Sequence, residues 1–307
     1  MKYQKHSILK LIGIIMVLLW AAESRAFGAG DLKEIQQQGV LRHLGVTYAN
    51  FVRKTPNGYD GMDIELMKQF AKHLGVKYQF VNTTWENLFT DLTGREKDNK
   101  SQRFLLKQTQ EIKGDIIANG LTILPWRQEI ISYSLPTFPT GVWLVARANS
   151  SLMPIIPSGD MVEDIKKVKS LLIGKSVLTM NGTCLAASDN GLDKTKAIIK
   201  YYTQTKIIDD IAPAMINGMA DSTLLDIPDA LVALEKWPGE IKIIGPISDK
   251  QQMGVAVRQS STGLLAAFNE FFRQIWADGT YRLLVEKYYP SVFLYFGDFF
   301  NVTDIQR

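Results

Sequence analysis

One cysteine, Cys184, and three histidines, His6, His43 and His73, are all that 307 residues hold of the soft metal ligands. A lone thiol excludes an internal disulfide, and so few scattered histidines argue against a zinc site. One-sided charge is missing too: 35 Lys and Arg stand against 31 Asp and Glu, a formal +4. Lys2, Lys5, Lys10 and Arg25 against Glu23 place most of that excess before residue 27. The remainder is nearly neutral, which excludes a basic nucleic-acid face. There is no Gly-x-Ser-x-Gly elbow, no P-loop and no dinucleotide glycine fingerprint opening a helix; Gly28-Ala29-Gly30 is too short a match. No catalytic residue, metal or cofactor is therefore nominated. What the chain does have is 46% hydrophobic residues with 21% charged, enough for a sizeable core and incompatible with disorder or coiled coil.

The longest apolar run, residues 11–22 (LIGIIMVLLWAA), follows a basic start and precedes Ser24-Arg25-Ala26. It is short for a bilayer core of about 30 Å, which takes roughly 20 residues. Residues 1–26 read as a secretory signal, and the expected location is periplasmic.

Beyond the leader, strand-like and helix-like segments alternate. Strands are expected at 40–46, 78–81, 115–118, 142–146, 176–180, 206–208, 223–225, 242–244 and 254–257. Helices are expected at 62–74, 85–92, 195–202, 228–235, 262–277 and 280–288. In 62–74 the residues Leu66, Met67, Phe70, Ala71 and Leu74 share a stripe. Alternation of this length indicates βαβ units and a mainly parallel sheet, an α/β class. The charged segment 94–113 reads as a surface excursion containing a helix. Two joints, near 140–146 and 252–257, bracket a block with its own alternation. The division expected is 27–141 plus 253–307 for lobe 1 and 142–252 for lobe 2, joined by two hinge strands. His43 and His73 read as a strand-edge and a helix-surface residue. Cys184 reads as a small packed residue or, as the alternative, a pocket-liner. The aromatic tail Tyr288, Tyr289, Phe293, Tyr295, Phe296, Phe299 and Phe300 packs on lobe 1 or offers a docking patch.

Several motifs occur in a telling order. Val46-Thr47-Tyr48-Ala49-Asn50-Phe51 precedes Gly61-Met62-Asp63-Ile64-Glu65-Leu66, and Trp85-Glu86-Asn87-Leu88 follows. Then come Gly114-Asp115, Asn119-Gly120-Leu121-Thr122-Ile123-Leu124-Pro125-Trp126-Arg127 and Tyr133-Ser134-Leu135-Pro136. The second block opens with Gly174-Lys175-Ser176-Val177 and Asn181-Gly182-Thr183. The end reads Ala277-Asp278-Gly279-Thr280-Tyr281 and Glu286-Lys287-Tyr288. Over roughly 40–290 this resembles the bacterial extracellular solute-binding proteins of family 3, the periplasmic amino-acid-binding type. It is also similar to the solute-binding half of membrane-bound lytic transglycosylases. The departures are Leu124 and Cys184 where hydroxyl residues are common, and about 18 extra residues near 95–113.

The resemblance implies a two-lobed periplasmic-binding-protein-like fold of type II. It implies a monomer capturing a small polar solute, an amino acid or related zwitterion, for a membrane permease complex of an ABC importer. A zwitterion needs both charges neutralised, and a planar guanidinium offers a carboxylate two parallel N–H groups. By resemblance Arg127 binds the carboxylate and Asp226 the ammonium. Thr122 adds a hydroxyl beside the main-chain N–H of Gly120, Thr183 donates from lobe 2 at a helix start, and Tyr48, Phe51 and Trp85 wall the pocket. Each has a plainer reading. Arg127 is then a surface residue after a turn, Asp226 a helix N-cap before Pro228, Thr122 a strand residue, Thr183 a cap, and the aromatics core. The alternative functions are a non-transport sensor or cell-wall-associated binder, and a dehydratase on the same scaffold with Glu86 or Asp63 as its acid.

Overall fold

The computed structural model describes residues 31–98, 104–181, 183–204 and 210–301. The expected leader, Gly182 and the strand expected at 206–208 lie outside them.

Two five-stranded sheets organise the chain. The first is built from β1 (Val40–Gly45), β4 (Lys77–Asn82), β7 (Ile116–Ile117), β8 (Ile131–Thr140) and β14 (Gln251–Arg258). Its order is β4-β1-β7-β14-β8. The second holds β9 (Val142–Arg147), β10 (Ser176–Thr179), β11 (Ile198–Tyr201), β12 (Ser222–Asp226) and β13 (Ile241–Pro246), in the order β11-β10-β12-β9-β13. In each, four strands run in one direction and one runs against them, β14 in the first sheet and β9 in the second. Two small ribbons add β2 (Arg53–Thr55) with β3 (Gly58–Asp60) and β5 (Arg95–Lys97) with β6 (Phe104–Gln108).

The chain leaves the first sheet at Gly141, between β8 and β9, and returns between Pro246 and Gln251. Gln251 and Gln252 already pair with Thr140 and Pro139. The return therefore precedes residue 253. Two crossings side by side make the fold two-lobed, as expected.

Helices cover the sheets because their apolar stripes need a face to bury against. α1 (Leu32–Gln38) leads into β1, and α2 (Met62–His73) buries Met62, Ile64, Leu66, Met67, Phe70 and Ala71. α3 (Leu88–Thr93) follows β4, and α4 (Pro125–Gln128) starts on a proline, the residue whose missing N–H costs nothing there. α5 (Met161–Ser170), α6 (Ile211–Ile216) and α7 (Ile227–Lys236) serve the second sheet. α8 (Thr262–Ala277) and α9 (Thr280–Tyr288) return to the first. Asp115, wholly buried, ties strands together. It accepts from Arg42 at 2.6, 2.9 and 3.1 Å, and Arg258 lies 3.5 Å away.

Three expectations fail here. The helix expected at 195–202 is a 3-10 turn (Leu192–Lys194) followed by β11, which pairs in parallel with β10. A short apolar run does not distinguish helix from strand by periodicity, and a free sheet edge decides it. The excursion at 94–113 carries the β5–β6 hairpin and, among its described residues, no helix; Gly94 turns the chain into it at φ +68°. His43 is not at a strand edge. β1 lies between β4 and β7, and His43 is wholly buried.

The His43 ring is paired on both sides. Nε2 donates to the Ala118 carbonyl at 2.7 Å, so Nδ1 accepts from the Tyr78 hydroxyl at 2.9 Å. Burial pushes its pKa down from 6.5 to about 4, against the pull of the Ala118 carbonyl. The unfolded chain takes a proton near 6.5 that the fold refuses until about 4. This histidine costs no stability above pH 7, and stability falls as the pH drops from 6.5 towards 4. The expected loss is about 1–3 kcal/mol. Urea midpoints at pH 7 and 4.5 check it: the wild type should drop further than His43→Gln, and equal drops would refute the assignment.

The aromatic tail forms α10 (Val292–Phe300) and packs across the crossing. Phe300 lies 6.0 Å from Phe138 of β8, and Tyr295 lies 5.3 Å from Trp143 of β9. Leu294 and Tyr295 stay exposed. No helix among the described residues is long and apolar enough to cross a membrane.

Candidate functional site

The carboxyl ends of the parallel strands converge between the lobes, where open α/β sheets place their ligands. From β1 comes the Tyr48 loop and from β7 the stretch Asn119–Leu124. From β10 come Thr183 and Cys184 and from β12 Asp226. Together they close a central cavity of about 10 Å³ lined by Tyr48, Trp85, Gly120, Thr122, Arg127, Thr183, Cys184 and Asp226. That is room for about one water.

Arg127 is 4% exposed, which removes the surface reading. Its Nη1 donates to the Thr122 carbonyl at 2.8 Å, and its guanidinium lies 5.1 Å from the Trp126 ring and 5.8 Å from that of Phe89. Its Nε is buried without a partner. Asp226 is 1% exposed and occupies the N-cap position of α7, yet its side chain makes no cap. It turns into the cavity instead. Oδ2 accepts from the Tyr48 hydroxyl at 3.0 Å and from the Cys184 thiol at 2.8 Å, while Oδ1 is buried and unpartnered. Burial pushes the Asp226 carboxyl up, and the Cys184 and Tyr48 donors and the Arg127 charge pull it back. The same burial and the same carboxylate raise the Tyr48 hydroxyl and the Cys184 thiol. Trp85 Nε1 is a third buried polar atom without a partner.

The remaining expected residues divide. Thr122 lines the cavity and orients Arg127 through its carbonyl, which also accepts from Tyr133 at 2.9 Å. Gly120 lines it as well, but its N–H is not turned to the cavity: it donates to Asp63 Oδ2 at 2.7 Å. Its glycine is required by geometry. At φ +51°, a Cβ would lie 2.5 Å from the Phe51 ring. Thr183 lines the cavity from a turn, not a helix start; its hydroxyl donates to the Met180 carbonyl at 2.9 Å and accepts from Leu185 N–H at 3.1 Å. Phe51 stands behind the wall. It is buried and stacks under Tyr48 at 5.7 Å and 16°, off the cavity surface. Trp85 meets Tyr48 edge-on at 5.5 Å.

Two further residues bear on the site. Cys184 is a wall of the cavity, the lesser of its two readings, and its place in sequence directly after Thr183 was the available signal. Asp63 sits one layer behind Gly120, buried, with its carboxyl pushed up to about 7 by burial against the Gly120 N–H. It holds the loop and does not touch the cavity. Glu86, the other acid named for a dehydratase, lines a larger outer chamber. That chamber, about 1020 Å³, is bounded by α3, the β5–β6 hairpin, Trp126 and the Tyr201–Thr203 edge. Trp85 and Thr183 line both spaces. Among the described residues no group of three or more His, Cys, Asp or Glu is placed to hold a metal ion.

Known proteins are similar to this chain over most of its length. The family model for bacterial extracellular solute-binding proteins, family 3, matches residues 44–102 and 98–291. The L-cystine-binding protein TcyJ of Escherichia coli is 27% identical over 92% of this chain and 95% of its own length. The histidine-binding periplasmic protein of the same organism is 25% identical over 91% and 96%. The membrane-bound lytic murein transglycosylase F of Desulfosudis oleivorans is 25% identical over 96% of this chain, which spans 59% of that relative's length. Among solved structures, a mutant of ArgBP from T. maritima superposes with TM-score 0.66 at 26% identity, covering 85% of this chain and 99% of that one. The ancestral amino acid-binding protein AncCDT-1, a precursor of cyclohexadienyl dehydratase, does so with TM-score 0.66 at 26% identity, covering 84% and 99%. With its two lobes and the match running through nearly all of the described residues, the chain belongs to the bacterial extracellular solute-binding proteins of family 3.

Proposed function

We propose that this protein captures an amino acid or a close zwitterionic relative between its lobes, in the periplasm, and delivers it to an ABC-type importer in the membrane. One observation carries the reading. Opposite charges, Arg127 and Asp226, line the same buried cavity, and each keeps a polar atom with no partner. Unsatisfied buried polar groups cost about 1–3 kcal/mol each. A guest that offers a carboxylate to Arg127 and an ammonium to Asp226 removes both penalties at once. Thr122 holds Arg127 in place, Tyr48 and Trp85 flank the guest, and Thr183 and Cys184 close from the second lobe.

The cavity as it stands has no room for a zwitterion, so the lobes part about Gly141 and the 247–250 segment to admit one. Closure then expels water and strengthens both charge contacts. The ligand drives it only through its greater affinity for the closed state. The binding names of the cystine- and histidine-binding relatives support an amino-acid ligand.

Titration calorimetry with the natural L-amino acids tests the reading. At least one is expected to bind with Kd near 1 μM or tighter, about −8 kcal/mol. A folded protein that binds none of them would end the proposal.

A further inference from the structure

We infer that Tyr289, with the Tyr288 carbonyl beside it, is a positioning residue for the binding loop: it holds Tyr48 in place for the guest without touching the guest. This rests on the amino-acid reading above and adds what keeps one wall of the site in register.

The loop needs holding. Tyr48 N–H donates to the Val52 carbonyl at 2.9 Å, and Phe51 and Val52 N–H return to the Tyr48 carbonyl at 3.1 and 3.2 Å. So tight a turn puts Ala49 at φ +44°, in the left-handed region, where it is the only residue other than glycine among those described. A side chain there is strained and persists only where the surroundings fix it.

What fixes it comes from the far end of the chain. Asn50, next in the turn, donates its N–H to the Tyr289 hydroxyl at 2.9 Å, across 239 sequence positions. Its Nδ2 donates to the Tyr288 carbonyl at 2.8 Å. Tyr289 is 1% exposed, and its ring packs against both Phe51 and Phe138, 5.0 Å from each. Phe51 in turn stacks under Tyr48, whose hydroxyl reaches Asp226 from the other lobe. Neither Tyr288 nor Tyr289 lines the cavity. The end of α9 thus grips the turn by two hydrogen bonds and one ring, and Phe138 of β8 backs that ring. The start of the aromatic tail serves the site from behind it.

Tyr289→Phe keeps the ring and removes only the oxygen that Asn50 N–H needs. The loop then spends part of its time out of register, and apparent affinity falls by that fraction. In calorimetry with each natural L-amino acid, every one that binds the wild type should weaken about 3- to 10-fold. One common factor should apply to all of them, because no ligand contact is lost. Adding Ala49→Gly, which accepts positive φ without strain, should restore about half of the loss or more. In the empty protein, amide hydrogen exchange of residues 48–52 should quicken in Tyr289→Phe. The inference is overturned by affinities within about 2-fold of wild type, by losses that differ from ligand to ligand, by a loss that Ala49→Gly leaves in place, or by unchanged exchange. In those cases Arg127 and Asp226 keep their reading. If the wild type binds no amino acid, the amino-acid reading ends, and the exchange result alone decides the role of Tyr289.

Discussion

Arg127→Ala is expected to weaken binding of the best amino acid at least 100-fold while the protein stays folded. Truncating one partner of a desolvated charge pair costs about 2–5 kcal/mol. Here the lost contact is the only guanidinium among the described residues that line the cavity. The effect on the empty protein is smaller, because Arg127 is held by the Thr122 carbonyl, the Tyr133 hydroxyl and two ring contacts rather than by a buried ion pair. Removing its charge also lets the Asp226 carboxyl rise further, since that charge is one of the influences holding it down. Asp226→Asn provides the complement. Affinity should fall by a similar factor, yet the empty protein should gain about 1 kcal/mol, because a buried carboxylate with an unpartnered oxygen is replaced by a neutral amide. Calorimetry and urea titration of both variants decide the matter. Affinities within 3-fold of wild type in both would show that the two charges do not grip the ligand.

Gly61→Ala should destabilise the fold by about 3 kcal/mol or more. Gly61 precedes α2 at φ +133°, in a region that side chains avoid. A Cβ there would lie 2.3 Å from the Phe51 carbonyl oxygen, 2.7 Å from its carbon and 3.0 Å from the Asn50 oxygen. All three are backbone atoms, so nothing flexible yields. The same carbonyls accept Met62 N–H at 2.9 Å and Asp63 N–H at 3.1 Å. The side chain would thus separate α2 from the loop that carries Tyr48 and Phe51. Gly75→Ala is the control. It also has positive φ, +71°, but nothing stands within 4 Å of its Cβ, and its cost should be about 1 kcal/mol. Urea unfolding of the pair checks this; equal losses would show that close approach does not explain Gly61. The variant should also lose ligand affinity, because Phe51 supports Tyr48.

Much of the fold was legible because its signals are local. The stripe in α2 and the bounds of α8 and α9 follow from periodicity and helix-end chemistry. β11 was misread because Ile198, Ile199 and Tyr201 fit either period, and only the open edge of β10 selects a strand. The β5–β6 hairpin was misread because a charged segment of that length carries no decisive pattern. At the site, Arg127, Asp226, Thr122, Thr183, Tyr48 and Trp85 were nominated and meet at one cavity. Phe51 was nominated too and lies a layer behind.

By itself the chain specified residue types and their order along βαβ units, and its resemblance to a family named a pair of opposite charges, one after β7 and one at the end of β12. The order follows from local periodicity; the charged pair follows from the resemblance together with what a zwitterion demands. Tertiary structure alone decided which atoms are already spoken for. Gly120 N–H belongs to Asp63, the Asp226 side chain declines its cap to meet Tyr48 and Cys184, and His43 is sealed between strands. Hydrogen bonds between residues as far apart as Tyr48 and Asp226 depend on how two sheets face each other, and no local pattern encodes that.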